Sequence, residues 1–374
     1  MEPEKEVDRA LAAAGVGSRV LWGRFRPGVD SVIVYERECN GRNEWGFVRV
    51  DLDHVRVFPF PEDPKLEGLR RTATADGVSR FLVQAEKREK YEQGWGNWEL
   101  LRYRPEKMCV LRGRTASPED SYVVRYYEPE QVERIVGLRL FLEHKPAADV
   151  RIPRVHSYRA KHSGVLENCL SGRPLTEVLL EQGPEIGPAL AATGAALARW
   201  HSQRAPQLSR AVRGEERLSV VASAVDALTG GRLQAVRLAQ DLEDLPWPRL
   251  QEALTLGGLR DGSVVVSQDG MVGFTELDSA GADDPYWDLA RFCACLDDHR
   301  ICGRLTPAMA EWSRRLFLES YAEARGVELD EVWLRRHCVV ALLRQAMTPL
   351  ERWEEDWRRK TKEMIESAWQ VMED

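Results

Sequence analysis

The fold is decided by the stretch Leu256-Gly-Gly-Leu-Arg-Asp-Gly-Ser-Val-Val-Val266, a turn at Ser267-Gln-Asp-Gly270, and then Val272-Gly-Phe-Thr-Glu-Leu-Asp278. A second stretch, Asp283-Asp-Pro-Tyr-Trp-Asp-Leu-Ala-Arg291, follows closely. Apolar runs on either side of a glycine-containing turn predict a loop that leads into a β-hairpin. The apolar content of Leu289–Leu296 predicts a buried helix after the hairpin.

The residues before this stretch alternate strand and helix signals. Strands are predicted at Cys109–Leu111 and Tyr122–Tyr127, and apolar residues at three- and four-residue spacing predict a helix over Pro129–His144. A further strand is predicted at Gly164–Glu167, before a turn at Leu170–Pro174. From there to the end the pattern is mainly helical.

The chain divides by these patterns into three parts. Residues 1–95 form a β-rich N-terminal extension, in which apolar and polar residues alternate between turn formers. Residues 96–168 are predicted to form a small lobe of strands and one helix. Residues 169–374 are predicted to form a mainly helical large lobe that contains the loop region 254–291.

In this order the stretches resemble the aminoglycoside phosphotransferase and choline kinase family, whose members move the γ-phosphoryl group of ATP to a small-molecule hydroxyl. Gly164–Leu175 is similar to the family's hinge strand and turn, and Gly194–His201 to its helix ending in histidine. Residues 256–291 are similar to its catalytic loop, metal-binding strand and Asp-Leu-Ala helix. The resemblance covers roughly residues 101–345. It implies an α+β, bilobal, protein-kinase-like fold with a small β-rich N-terminal extension.

The catalytic loop departs from the family's pattern at three positions. Leu256 stands for a histidine, Gly258 for the catalytic aspartate and Ser263 for a metal-binding asparagine. A carboxylate that accepts the proton of the attacking hydroxyl contributes about 10²- to 10⁴-fold in rate, and Gly258 has no side chain to do so. Asp261, three residues later, has two interpretations: a solvated turn carboxylate or a substitute base.

The resemblance places the metal-binding carboxylate at Glu276. Asp278 follows two residues later and is expected on the same face of an extended strand. Glutamate is longer than aspartate, and octahedral Mg²⁺ leaves little slack in its ligand distances. Binding of ATP and Mg²⁺ is therefore expected to be weakened or absent. Asp288 is predicted to brace the catalytic loop by hydrogen bonds.

In the small lobe, Arg125 stands where kinases carry a lysine for the α- and β-phosphates. Arginine keeps the charge, but its forked head does not superimpose on an ammonium group. Its acidic partner on the following helix is expected to be Glu130 or Glu133. The backbone from Glu167 to Cys169 would face an adenine ring. The predicted nucleotide-binding residues are Arg125, Glu167, Asn168 and Cys169.

Five departures at positions that act together favour a pseudokinase, which would bind a small molecule, a peptide or a partner enzyme without transferring phosphate. They are Arg125, Leu256, Gly258, Ser263 and Glu276. The alternative is an active ATP-dependent phosphotransferase of a small-molecule or peptide hydroxyl with a non-standard site, since phosphoryl transfer depends mainly on positioning and charge. A purely structural or interaction module is the third interpretation.

The amino-acid composition bears on whether the protein binds nucleic acid or a membrane. The formal charge is −7, from 53 basic and 60 acidic residues spread along the chain, so no nucleic-acid partner is expected. No long apolar run predicts a membrane span, and a cytoplasmic protein is expected. His162, His201, His299 and His337 show no mutual spacing of a metal site or triad and receive no role.

Overall fold

The computed structural model describes residues 2–15, 17–26, 29–39, 42–51, 53–72, 98–113, 121–144, 149–159, 163–203, 208, 218–245 and 252–373. The elements before the catalytic loop are α1 (Pro3–Ala14), β1 (Arg19–Arg26), β2 (Asp30–Cys39), β3 (Arg42–Val50), β4 (Val55–Pro59), α2 (Glu67–Thr72), β5 (Trp98–Arg104), β6 (Met108–Gly113), β7 (Tyr122–Tyr127), α3 (Pro129–His144), β8 (Val150–Arg151), β9 (Val155–Arg159), β10 (Gly164–Asn168), β11 (Arg173–Pro174), α4 (Leu175–Glu181), α5 (Ile186–His201), α6 (Leu218–Thr229) and α7 (Ala235–Glu243).

The remaining elements include the predicted hairpin and the C-terminal helices. They are β12 (Ala253–Thr255), a 3₁₀ turn (Asp261–Ser263), β13 (Val264–Val266), β14 (Val272–Phe274), β15 (Gly281–Asp283), α8 (Pro285–Ile301), α9 (Pro307–Arg325), α10 (Glu331–Gln345), α11 (Thr348–Glu351) and α12 (Trp357–Glu373). None of the described helices combines the length and the apolar composition that crossing a membrane requires.

The chain forms two compact units. The first comprises Met1–Glu143, Pro153–Cys169 and Glu351–Glu354, and the second comprises His144–Ile152, Leu170–Leu350 and Glu355–Asp374. The boundary predicted near residue 95 lies outside the described residues. The three-part division stays a prediction.

The first unit contains two antiparallel sheets, in the strand orders β1-β2-β3-β4 and β5-β6-β7-β10-β9. Their apolar side chains share one core, in which Val32 and Phe47 of the N-terminal sheet pack with Leu111 and Tyr126 of the second. Helix α1 packs on the N-terminal sheet, and the sequence analysis did not predict it. Its spacing of buried Val7, Ala10 and Ala14 is the helical signal that was available.

In the second unit, the predicted loop and hairpin rest on a helical core. Strands β13 and β14 pair in antiparallel register from Val264 opposite Phe274 to Val266 opposite Val272. The helix predicted after the hairpin is α8. It begins at Pro285, where the Asp284 carboxylate accepts a hydrogen bond from the Tyr286 amide at 3.0 Å and the proline occupies the first turn. Helices α6, α7, α8, α10 and α12 contribute to one apolar core.

Candidate functional site

The loop between β12 and β13 is held by the side chain of Asp288, in the first turn of α8. Asp288 is fully buried, and its carboxylate accepts hydrogen bonds from the Leu256 amide at 2.7 Å and the Gly258 amide at 2.6 Å. Backbone donors to a carboxylate form strong, charge-assisted bonds. One buried carboxylate thus fixes the loop on both sides of Gly257.

Asp288 is itself oriented by His201, the last residue of α5. His201 Nε2 lies 2.9 Å from Asp288 Oδ2, and its Nδ1 lies 2.9 Å from the hydroxyl of Tyr321. With Nε2 donating to the carboxylate, Nδ1 is left to accept from Tyr321. No role was predicted for His201, because Asp288 is 87 residues away in sequence and a contact at that separation leaves no local pattern.

Gly258, which the resemblance places at the position of the catalytic aspartate, adopts φ +122°, which L-residues rarely occupy. A Cβ atom there would lie 3.1 Å from Cγ of Arg291 and 3.3 Å from Nε1 of Trp287. The Trp287 indole also donates to the Gly257 carbonyl at 3.0 Å. Two side chains of α8 therefore pack directly where a side chain on residue 258 would begin.

Asp261 is buried, which corrects the interpretation of a solvated turn carboxylate. It accepts a hydrogen bond from the Thr176 hydroxyl at 2.6 Å and lies 2.8 Å from His299 Nε2. Burial raises the pKa of Asp261, but the hydrogen bond and charge of His299, with further bonds from Thr176 and the Gly262 amide, outweigh it and lower the pKa below its ordinary value. A carboxylate with a lowered pKa is a weaker base. His299 and Thr176 were missed because neither is near Asp261 in sequence.

Glu276, one of the two predicted metal-binding residues, is paired with the guanidinium group of Arg260. The Ser263 hydroxyl donates to the Arg260 carbonyl at 2.7 Å and accepts from the Arg260 amide at 3.3 Å. Strand β14 ends at Phe274, and Asp278 lies in a turn, so the expectation that Glu276 and Asp278 share a face of one extended strand was wrong.

These residues do not fit a magnesium ion as they are arranged. Mg²⁺ requires several oxygen ligands in near-octahedral geometry, whereas Glu276 contacts a cation of the chain itself. Within the described residues, no group of three or more His, Cys, Asp and Glu side chains is placed to hold a metal ion.

In the first unit, Arg125 forms its ion pair with Glu167 on the adjacent strand β10. Arg139, from helix α3, approaches the other oxygen of Glu167 at 3.6 Å, and all three side chains are buried. The expected partners Glu130 and Glu133 are exposed, so that expectation was wrong. Helix α3 thus contributes a second cation, Arg139, to the pair, whereas a glutamate of this helix was expected to be the partner of Arg125.

The two residues after Glu167 are hydrogen-bonded within the same unit. The Asn168 side chain accepts from the Arg154 amide at 2.6 Å, and the Asn168 amide donates to the Arg154 carbonyl at 3.2 Å. The Cys169 amide donates to the Ser121 carbonyl at 3.0 Å. The predicted contact of this backbone with an adenine ring stays a prediction.

Comparison with known proteins finds one matching family and solved structures that share its fold. The model of the family described as "Phosphotransferase enzyme family" matches residues 110–332, more than half of the chain. Choline kinase from Cryptosporidium parvum Iowa II is similar in structure, with a TM-score of 0.55, 10% identity, and coverage of 80% of this chain and 96% of that one. No curated protein matches the chain by sequence.

Two further solved structures share the fold at low identity. A thermostable mutant of aminoglycoside phosphotransferase APH(4)-Ia has a TM-score of 0.53 and 16% identity, covering 79% of this chain and 99% of that chain. The ethanolamine kinase of Plasmodium vivax has a TM-score of 0.50 and 10% identity, covering 79% and 88%. At these identities the likeness extends to the fold alone.

Proposed function

Because the chain belongs to the phosphotransferase enzyme family, we propose that it is a pseudokinase of that family. It uses the kinase-like fold to bind a small molecule, a peptide or a partner enzyme in the cytoplasm and does not transfer phosphate. The observation that carries this proposal is Gly258, to which the resemblance assigns the catalytic aspartate position and beside which Trp287 and Arg291 leave no space for a side chain.

The nearest carboxylate in the loop does not compensate for the missing base. Asp261 is buried and bonded to Thr176 and His299, and its lowered pKa reduces its tendency to accept a proton. A general base works best when its pKa is close to the working pH. An active enzyme would need Asp261 to leave both partners during each turnover.

The charges around the predicted metal and phosphate positions also favour this proposal. Glu276 is paired with Arg260, which shields the carboxylate that the resemblance assigns to the metal. In the first unit, Arg125 is paired with buried Glu167. The first contact neutralises a carboxylate that Mg²⁺ would have to use, and in the second the cation is bonded to a glutamate of strand β10 and not to one of the helix, where active kinases place it.

The test is a calorimetric titration of the purified protein with ATP, with and without Mg²⁺, for the wild type and Glu276→Ala. The proposal predicts that Mg²⁺ adds no affinity and that Glu276→Ala does not abolish any binding that occurs. Magnesium-dependent binding that disappears in Glu276→Ala would refute it and would instead support an active phosphotransferase with a non-standard site.

A further inference from the structure

Two arginines stand beside the loop at the place where the family's pattern has the catalytic aspartate. Arg260 follows Gly258 by two residues, and Arg291 lies one helical turn after Asp288 on α8. Arg291 Nε is 3.6 Å from the position that a Cβ on residue 258 would take. The Arg291 side chain therefore lies directly beside residue 258.

No carboxylate of the described residues contacts the guanidinium group of Arg291. Its Nη1 donates to the Gln345 side chain at 2.9 Å and to the Ala341 carbonyl at 3.4 Å, and its guanidinium lies 5.9 Å from the ring centroid of Trp287. Within the described part of the chain, no carboxylate lies within ion-pair distance, and Nε and Nη2 make no hydrogen bond. The side chain is half-buried, and a ligand that reached Nε or Nη2 would supply the hydrogen bonds that they lack within the described residues.

Arg260 is also partly available. Its Nη2 contacts Glu276, and its side chain remains 34% exposed. Its other guanidinium nitrogens make no hydrogen bond to described residues. Burial lowers the pKa of Arg291, and the positive charges of Arg260 and Arg344 lower it further, while Asp298 acts in the opposite direction. Beside the guanidinium groups of Arg260 and Arg291, the loop also has three carboxylates. Asp261 and Asp288 are buried and bonded to other groups of the chain, and Glu276 is the one paired with Arg260.

We infer that Arg260 and Arg291, beside Gly258, bind a phosphate group directly and without a divalent metal ion. Guanidinium groups recognise phosphate by paired, charge-assisted hydrogen bonds and keep their charge at all physiological pH values. Glu276 acts as an internal competitor, because it occupies Arg260 until the ligand phosphate replaces it. The inference rests on the proposed function, since a site of this kind binds phosphate and does not transfer it.

Because Glu276 competes with the phosphate for Arg260, removal of its charge is expected to increase the affinity for phosphate. Sodium pyrophosphate and ATP are titrated separately by calorimetry into the full chain in EDTA. Glu276→Gln frees Arg260 and is expected to tighten binding about tenfold, whereas Arg291→Gln and Arg260→Gln each remove a charged donor and weaken it about tenfold or more. Arg291→Lys restores part of the affinity. Glu363→Gln is the matched control, because Glu363 is 36% exposed, pairs with Arg359 and leaves binding unchanged.

The outcomes separate this inference from the proposed function. Binding in EDTA that tightens in Glu276→Gln supports the inference, and a gain of affinity cannot come from misfolding. Tighter binding of ATP than of pyrophosphate assigns the phosphate to a nucleotide, and equal binding assigns it to an inorganic phosphate source. No binding in EDTA, or binding that is unchanged in Glu276→Gln, Arg291→Gln and Arg260→Gln, overturns the inference and leaves the pseudokinase proposal in place. Binding that requires Mg²⁺ and is lost in Glu276→Gln overturns both.

Discussion

Replacing Asp288 by asparagine tests whether this one side chain holds the catalytic loop. The buried carboxylate accepts from two loop amides at 2.7 and 2.6 Å and from His201 at 2.9 Å. Asparagine keeps a single acceptor oxygen and turns an NH₂ group towards one of these donors. A buried donor that loses its acceptor costs about 1–3 kcal/mol, and more where the acceptor was charged, so the free energy of unfolding should fall by about 3 kcal/mol.

The assay is urea denaturation followed by circular dichroism, with Asp226→Asn as the matched control. Asp226 also accepts from two backbone amides, those of Ala235 and Val236 at 2.9 and 3.0 Å, but it is half-buried and has no histidine partner. Its loss should cost about 1 kcal/mol. If Asp288→Asn costs no more than Asp226→Asn, Asp288 does not fix the loop as described.

Three further variants test other parts of the site. Gly258→Ala should lose about 1–3 kcal/mol of stability because of the positive φ of residue 258, and more because its methyl group would be crowded. Gly270→Ala is the control, since residue 270 also has a positive φ but has open space around it. Equal losses of stability in denaturation would contradict the crowding. Glu167→Gln should lower the free energy of unfolding by about 3–5 kcal/mol, because the charges of two buried arginines lose their partner. Glu133→Gln, at an exposed position, should change it by no more than about 0.5 kcal/mol. Similar denaturation midpoints for the two variants would contradict the buried pairing. Asp261 has a lowered pKa in the folded state, so its stabilisation is present above the ordinary carboxyl pKa of about 3.9 and disappears as the pH falls below it. The difference in unfolding free energy between wild type and Asp261→Asn should therefore disappear below about pH 4. A difference that does not change with pH would refute the ionised pair of Asp261 and His299.

The α+β kinase-like fold predicted from the sequence is confirmed. It was predictable because its signals are local: a glycine loop, a hairpin turn and a capped helix start follow one another within residues 256–291. Each element is determined by neighbours along the chain. The resemblance then supplied the order of the lobes.

The partners of the site residues were not predictable in the same way. Arg125 pairs with Glu167 across two adjacent strands, and Arg260 pairs with Glu276 across the hairpin. The burial of Asp261 depends on His299, 38 residues away. Contacts of this kind are set by tertiary packing, which a single sequence does not encode in any local pattern.

The most direct test of the central claim is the formation of ADP by the purified protein incubated with ATP and Mg²⁺. Gly258 offers no base and Asp261 is bound to other residues, so ADP should form no faster than in a protein-free control. Sustained ADP formation that is lost in Asp261→Asn would contradict this account and identify Asp261 as the base of an active phosphotransferase.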